Sequence, residues 1–149
     1  MEYLADCPIT ISLPFLNVMI CHAGVLPGKE LNKQELNDLL TIRNVKKETD
    51  PNNPNEVIYS SFKPKKDENS GCTSIDYVVW GQEWNGGEGR THIVFGHDAA
   101  RGLQEYEFAT GLDTGCCYGR YLTAMVCNAD DFNDRRILQV KAKEVYAQR

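Results

Sequence analysis

The chain has 149 residues, 42% of them hydrophobic and 25% charged, and a formal net charge of −5 at pH 7. That length and balance suit one globular domain with a core of its own. The acidic balance argues against a general nucleic-acid-binding surface, which carries a basic excess, and no apolar run approaches the roughly 20 residues that span a bilayer. The start, Met1 to Asp6, has neither the basic stretch nor the apolar stretch of a signal peptide, so a cytoplasmic location is expected. Six cysteines without a Cys-x-x-Cys pair read as reduced core thiols rather than as disulfides or a zinc knuckle.

In chain order, Ile9 to Leu13 and Leu16 to Cys21 read as strands broken at Pro14. The second is nearly all apolar, the mark of a strand buried on both faces. It runs into His22-Ala23-Gly24 and then the turn Pro27-Gly28. Asn32 to Glu35 has the spacing of a capping box, and Leu36, Leu39 and Leu40 predict one apolar stripe on a helix ending near Arg43. From Asn44 to Ser74 the chain is polar, with Pro51, Pro54, Pro64 and a charge run from Lys63 to Glu68. It is expected to be a surface insertion at about 44–74, with Val57 to Phe62 as an isolated strand or hairpin arm. Trp80 and Trp84, one helical turn apart before Asn85-Gly86-Gly87, are expected as core anchors.

Ile93-Val94-Phe95 then deliver Gly96-His97-Asp98 in the manner of a strand ending at a polar site. Short β segments follow at Glu105 to Phe108, Arg120 to Cys127 and Arg136 to Lys143, the last two as an antiparallel hairpin around the loop Asn128 to Asp134. Between them lies the glycine-punctuated loop Gly111 to Gly119. The pattern is α/β, with a strand-rich second half and no repeat.

Two of the three histidines, His22 and His97, leave the ends of apolar strands into small-residue turns, where open sheets place their ligands. Imidazoles so placed suit a metal such as zinc, iron or manganese, held by second-shell hydrogen bonds. Asp98 and Asp113 are candidate ligand or second-shell carboxylates. Arg101 is a candidate anion-binding group, because guanidinium matches phosphate oxygens in pairs, against the plainer reading of a surface ion pair. His92 sits at the start of its strand, away from the delivering end. A thiol nucleophile at Cys116 or Cys117 with His97 as base is the competing enzyme class, although no residue pattern here marks a low thiol pKa.

His22-Ala23-Gly24 with Leu26-Pro27-Gly28, then Phe95-Gly96-His97-Asp98, Gly102-Leu103-Gln104, Gly111-Leu112-Asp113-Thr114-Gly115-Cys116 and Leu122-Thr123-Ala124 occur in that order. Together they resemble the C-terminal half of a calcineurin-like metallophosphoesterase. The nearest resemblance is to the ApaH-like phosphatases, relatives of diadenosine tetraphosphatases and phosphoprotein phosphatases. The resemblance implies residues 1–149 as the C-terminal portion of a β-sandwich flanked by helices, incomplete. It implies two divalent metal ions (Mn, Zn, Fe or Mg) in the complete family site, bridged by a water that attacks phosphorus in line. By position it makes His22 and His97 metal ligands, Asp98 and Asp113 second-shell groups, and Arg43 and Arg101 candidates to face a phosphorylated small molecule, nucleotide or phosphoprotein.

The family's N-terminal motifs, Asp-x-His, Gly-Asp-x-x-Asp-Arg-Gly and Gly-Asn-His-Glu, do not occur in this chain. They supply most of the metal-bridging carboxylates. The expectation is a partial domain, inactive alone. It is a fragment of a phosphatase, a non-catalytic binding or regulatory module, or half of a site completed by another chain. Its uncovered edge and face would then expose apolar surface and favour self-association or a partner chain.

Overall fold

A computed structural model describes residues 6–63 and 77–148. Its centre is a five-stranded sheet of order β1-β2-β6-β8-β7, from Thr10–Leu13 (β1), Val18–Cys21 (β2), His92–Phe95 (β6), Gln104–Glu105 (β7) and Ala109–Gly111 (β8). The middle three, β2, β6 and β8, are mutually parallel and the two outer strands antiparallel. All four residues of β6 and all three of β8 are buried, and Ile20 is the one half-buried residue of β2. A parallel strand covered on both faces needs such uninterrupted apolar or self-satisfied residues. The break at Pro14 is real: Pro14–Leu16 forms one 3-10 turn between β1 and β2.

Beside this sheet lies a three-stranded antiparallel one, β4-β3-β5, from Asn44–Asp50 (β3), Asn53–Phe62 (β4) and Val78–Val79 (β5). A separate hairpin pairs Tyr121–Cys127 (β9) with Arg135–Lys141 (β10) in full antiparallel register, as the alternation predicted. The helices are short, Leu36–Thr41 (α1) and Trp80–Glu83 (α2). Val25, Ile42, Val45, Trp80, Ile93 and Ala109 are each at most 1% exposed and form the heart of the core, with Trp84 beside them. Both tryptophans are thus anchors, and Trp80 meets the Phe95 ring edge-on at 4.8 Å.

Several expectations fail for identifiable reasons. No capping box forms, because Gln34 is extended. Its side-chain amide instead clamps the backbone of Leu26 and Lys29, while Glu35 pairs with Lys29. The helix therefore starts only at Leu36, and Leu36 is exposed, so the apolar stripe is narrower than predicted. Most of the supposed insertion is ordered pairing. Asn44 to Phe62 is a hairpin with a register shift at Thr49/Asp50; only its base, Asn44 and Val45, is fully buried, and apart from the half-buried Asp50, Tyr59 and Phe62 its arms are exposed. A doubly solvated hairpin reads as loop by composition. The rest of the predicted insertion, from Pro64 to Ser74, lies outside the described residues. Of the strand expected at Glu105 to Phe108 only Glu105 is extended, as the end of β7; Tyr106 to Phe108 turn the chain into β8, closed by Tyr106 N–H donating to the Ala109 carbonyl (2.8 Å). Of the five described cysteines, none in a disulfide, only Cys21 is a buried core thiol, and its burial pushes its pKa up to about 12. The other four lie half-buried or exposed, because their strands and loops face solvent.

Candidate functional site

Because β2 and β6 are parallel neighbours, their C-terminal ends lie side by side, and both histidines emerge at that edge. His22 follows Cys21 directly. Its carbonyl accepts from Gly96 N–H (2.8 Å), and the next N–H, of Ala23, donates to the Leu39 carbonyl at 2.8 Å, tying the loop to α1. His97 lies two residues past β6, and its φ of 65° puts it in the left-handed region. The outcome is convergence: His22 Nε2 and His97 Nδ1 are 3.1 Å apart, with ring centroids at 4.9 Å. Two histidines 75 residues apart are thereby placed on one point.

Around His97 the chain builds a charged shell. Asp98 is 4% exposed and pairs with Arg101, and its Oδ1 lies 3.7 Å from Arg43 Nε without a hydrogen bond. Arg43 Nη2 donates to the His97 carbonyl at 3.1 Å. Arg101 Nη2 donates to Asn44 Oδ1 at 2.6 Å. Arg43, His97, Asp98, Ala99, Ala100 and Tyr118 line a cavity of about 170 Å³. The pKa of His97 is lowered, chiefly by burial and then by Arg43 and His22, while Asp98 and the nearby Thr41 carbonyl act weakly in the opposite sense. Its ring is therefore held neutral at pH 7, the form that offers a lone pair. His97 Nε2 is buried and makes no hydrogen bond of normal geometry.

The predicted residues do not all gather. His22, His97, Asp98, Arg43 and Arg101 share one edge. Asp113 stands near it, its Cβ 4.0 Å from where a Cβ on Gly96 would lie, but its Oδ1 is taken up by Gly115 N–H in its own turn (3.1 Å). Neither Cys116 nor Cys117 hydrogen-bonds to His97, so the thiol pairing has no geometric support. His92 is at the other end of β6, bonded to Thr110 Oγ1 at 2.8 Å. A larger groove of about 830 Å³ also opens at that far end, around Trp84, Thr91 and the loops at Gly28 and Gly86, and neither histidine of the pair lines it. Sequence reasoning missed Asn44, whose link to Arg101 spans 57 positions and leaves no local pattern.

Converging imidazole nitrogens, one of them on a ring held neutral, suit a divalent cation as two donors of its ligand set. Among the described residues no three or more His, Cys, Asp or Glu come together as a metal cluster, so the pair fits only as part of a larger set.

No family model matches the chain. Over 54 residues, 36% of this chain, it is 43% identical to a symmetrical bis(5'-nucleosyl)-tetraphosphatase of Janthinobacterium sp. (strain Marseille), a match covering 18% of that relative. It also superposes on the crystal structure of a protein assigned as a diadenosine tetraphosphatase with a TM-score of 0.69 and 31% identity, over 95% of this chain. The chain spans 54% of that solved structure, about half its length. With likeness in both sequence and structure, the chain is a relative of the ApaH-like metallophosphoesterases, and its mixed α/β architecture matches about half of the solved one.

Proposed function

We propose that His22 and His97 are two ligands of a divalent-metal phosphoesterase centre that hydrolyses a nucleotide phosphoester or phosphoanhydride, the remaining ligands coming from polypeptide outside these 149 residues. The observation that carries this is the 3.1 Å approach of two histidine nitrogens at the C-terminal edge of adjacent parallel strands. The names of the two relatives support a nucleotide substrate. When bound, a cation such as Mn, Zn, Fe or Mg activates a water and neutralises charge on the phosphoryl group. The chain's own residues hold and orient. His97 presents a neutral ring, and Arg43, which lines the small cavity, faces the phosphate oxygens. Asp98 and Asp113 order the turns beside the rings. The setting is cytoplasmic, consistent with described cysteines that form no disulfide, and no helix among the described residues is long and apolar enough to cross a membrane.

The incomplete donor set favours inactivity of the chain by itself. The surface for the missing carboxylates' polypeptide is the outer face of β9 and β10, where Leu122 (62% exposed) and Val140 (67%) stand opposite each other in register. That hairpin leaves the same loop that contacts the site: Arg120 Nη1 donates to the Ala99 carbonyl at 3.0 Å. The same incomplete set also suits a second reading, a non-catalytic nucleotide-binding module. Mn²⁺ titration of the chain, followed by NMR of the histidine ring protons, separates them. The metal-centre reading expects His22 and His97 to broaden together while His92 does not, with diadenosine tetraphosphate hydrolysis at background. Failure of both rings to respond would overturn the ligand assignment, and nucleotide binding without metal would favour the module. Metal-dependent turnover by the chain alone would show that it holds a complete centre.

A further inference from the structure

We propose that Asn44 and Arg101, acting through the buried Asp98, are positioning residues that hold His97 in a strained turn and so aim its ring at His22. This rests on the two-histidine reading above.

The need for such a turn follows from register. Ile20 pairs with Val94 across β2 and β6, so two residues on His22 is level with Gly96 rather than with His97. The bond from Gly96 N–H to the His22 carbonyl (2.8 Å) confirms the alignment. In continued extended chain, residue 97 would point to the opposite face from residue 22. The chain avoids this by folding back. Asp98 N–H donates to the Gly96 carbonyl at 2.7 Å, an i to i+2 bond, with His97 at φ 65° between them. That is a γ-turn of the rarer sense, costly for any residue with a β-carbon.

A strained turn persists only where its surroundings over-determine it. Here they do so at two successive points, the His97 carbonyl and the Asp98 side chain. Its carbonyl is held by Arg43 Nη2, and the next side chain, Asp98, is buried at 4% exposure and paired to Arg101. Arg101 is in turn fixed by Asn44 Oδ1 at 2.6 Å. Asn44 is itself 4% exposed and begins β3, paired to Phe62 on one side and Val79 on the other. The brace thus runs from the three-stranded sheet to the end of β6. Arg101 Nη1 and Nη2 each already hold a protein oxygen, and Arg101 does not line the 170 Å³ cavity that Arg43 lines, so its work is on Asp98 rather than on a phosphate.

The test uses Asn44→Ala and Arg101→Lys in the 149-residue chain, the second keeping a cation beside Asp98 but losing the fork that reaches Asn44. Mn²⁺ alone is the probe, its affinity read from broadening of the His22 and His97 ring protons. Each variant should bind 10–100-fold more weakly, the usual cost of removing a group that orients a ligand. Thermal unfolding supplies the second readout. Glycine adopts the turn without strain, so Asn44→Ala should lower Tm clearly less in a His97→Gly background than in the wild type. Unchanged Mn²⁺ affinity in both variants, or an equal Tm loss in both backgrounds, would overturn the brace. If the wild type shows no Mn²⁺ effect on either ring, the two-histidine reading fails, and the Tm comparison alone decides whether the brace holds the turn.

Discussion

Replacing Gly24 by Ala should destabilise the fold more than any surface change near the site. Gly24 follows His22 by two residues and has a φ of 154°, a conformation that side-chain-bearing residues rarely adopt. A β-carbon there would sit 2.3, 2.5 and 2.6 Å from three atoms of the Trp80 indole. The indole has little room to yield, being 1% exposed and set edge-on to Phe95. Overpacking of this kind costs about 1–3 kcal/mol, and the backbone conformation about 1–3 kcal/mol more, for a total of roughly 2–6 kcal/mol. In a chain of this size that lowers Tm by about 4–24 °C. Urea and thermal unfolding followed by tryptophan fluorescence measure it directly, since the chain's two tryptophans, Trp80 and Trp84, both lie in this core. Adding Trp80→Phe should recover part of the loss, because the smaller ring vacates the position the new methyl needs. A loss under about 1 kcal/mol, or no recovery with Phe, would refute the steric reasoning.

His92 gives a pH prediction with a definite sign. Burial first, and then Arg135, pull its pKa down from 6.5 to about 4, so the folded state binds its proton less readily than the unfolded chain. Its contribution is fully present above pH 6.5 and is lost as pH falls toward 4, about 3 kcal/mol over the window; His92→Gln should flatten that part of a stability–pH curve, and an unchanged slope would count against it. His97→Ala should abolish the Mn²⁺ broadening of the His22 ring while leaving Tm within a few degrees, because alanine keeps a β-carbon and with it the strain of the turn; retained broadening of His22 at the same Mn²⁺ would remove His97 from the ligand set. Leu122→Lys with Val140→Thr should alter Tm little, each residue being more than 60% exposed, yet reduce self-association or partner capture seen by sedimentation; unchanged association would move the docking face elsewhere.

How much of this was legible depends on the distance over which each feature is written. The strands leading to His22 and His97 were readable because burial on both faces leaves a continuous apolar run, and each run is followed within two residues by a histidine in a turn. Trp80 and Trp84 were readable as anchors for the same local reason. Asn32 to Glu35 misled because a capping box is a pattern of four residues. Gln34 had a stronger use, three bonds to the Leu26 and Lys29 backbone, that only the folded loop offers. The β3–β4 hairpin was misread because strand recognition leans on one buried face, and this hairpin past Val45 has none.

The one-residue offset between Cys21-His22 and Phe95-Gly96-His97 was present in the sequence all along, but its meaning depended on register. Had Gly96 been the histidine, the two rings would stand side by side on one face with no strain, at the spacing of ordinary strand neighbours. The chain instead places glycine there and turns the following residue back. That arrangement brings His97 Nδ1 to 3.1 Å from His22 Nε2 and sends its carbonyl to Arg43 and its neighbour Asp98 to Arg101. Strain at one residue thus couples the imidazole to two arginines and, through Asn44, to a second sheet. A relaxed strand end would leave the rings near one another but unbraced, and a ligand pair must be held to within about half an ångström to be of use. The offset is therefore better understood as the means of fixing the histidine than as an accident of spacing.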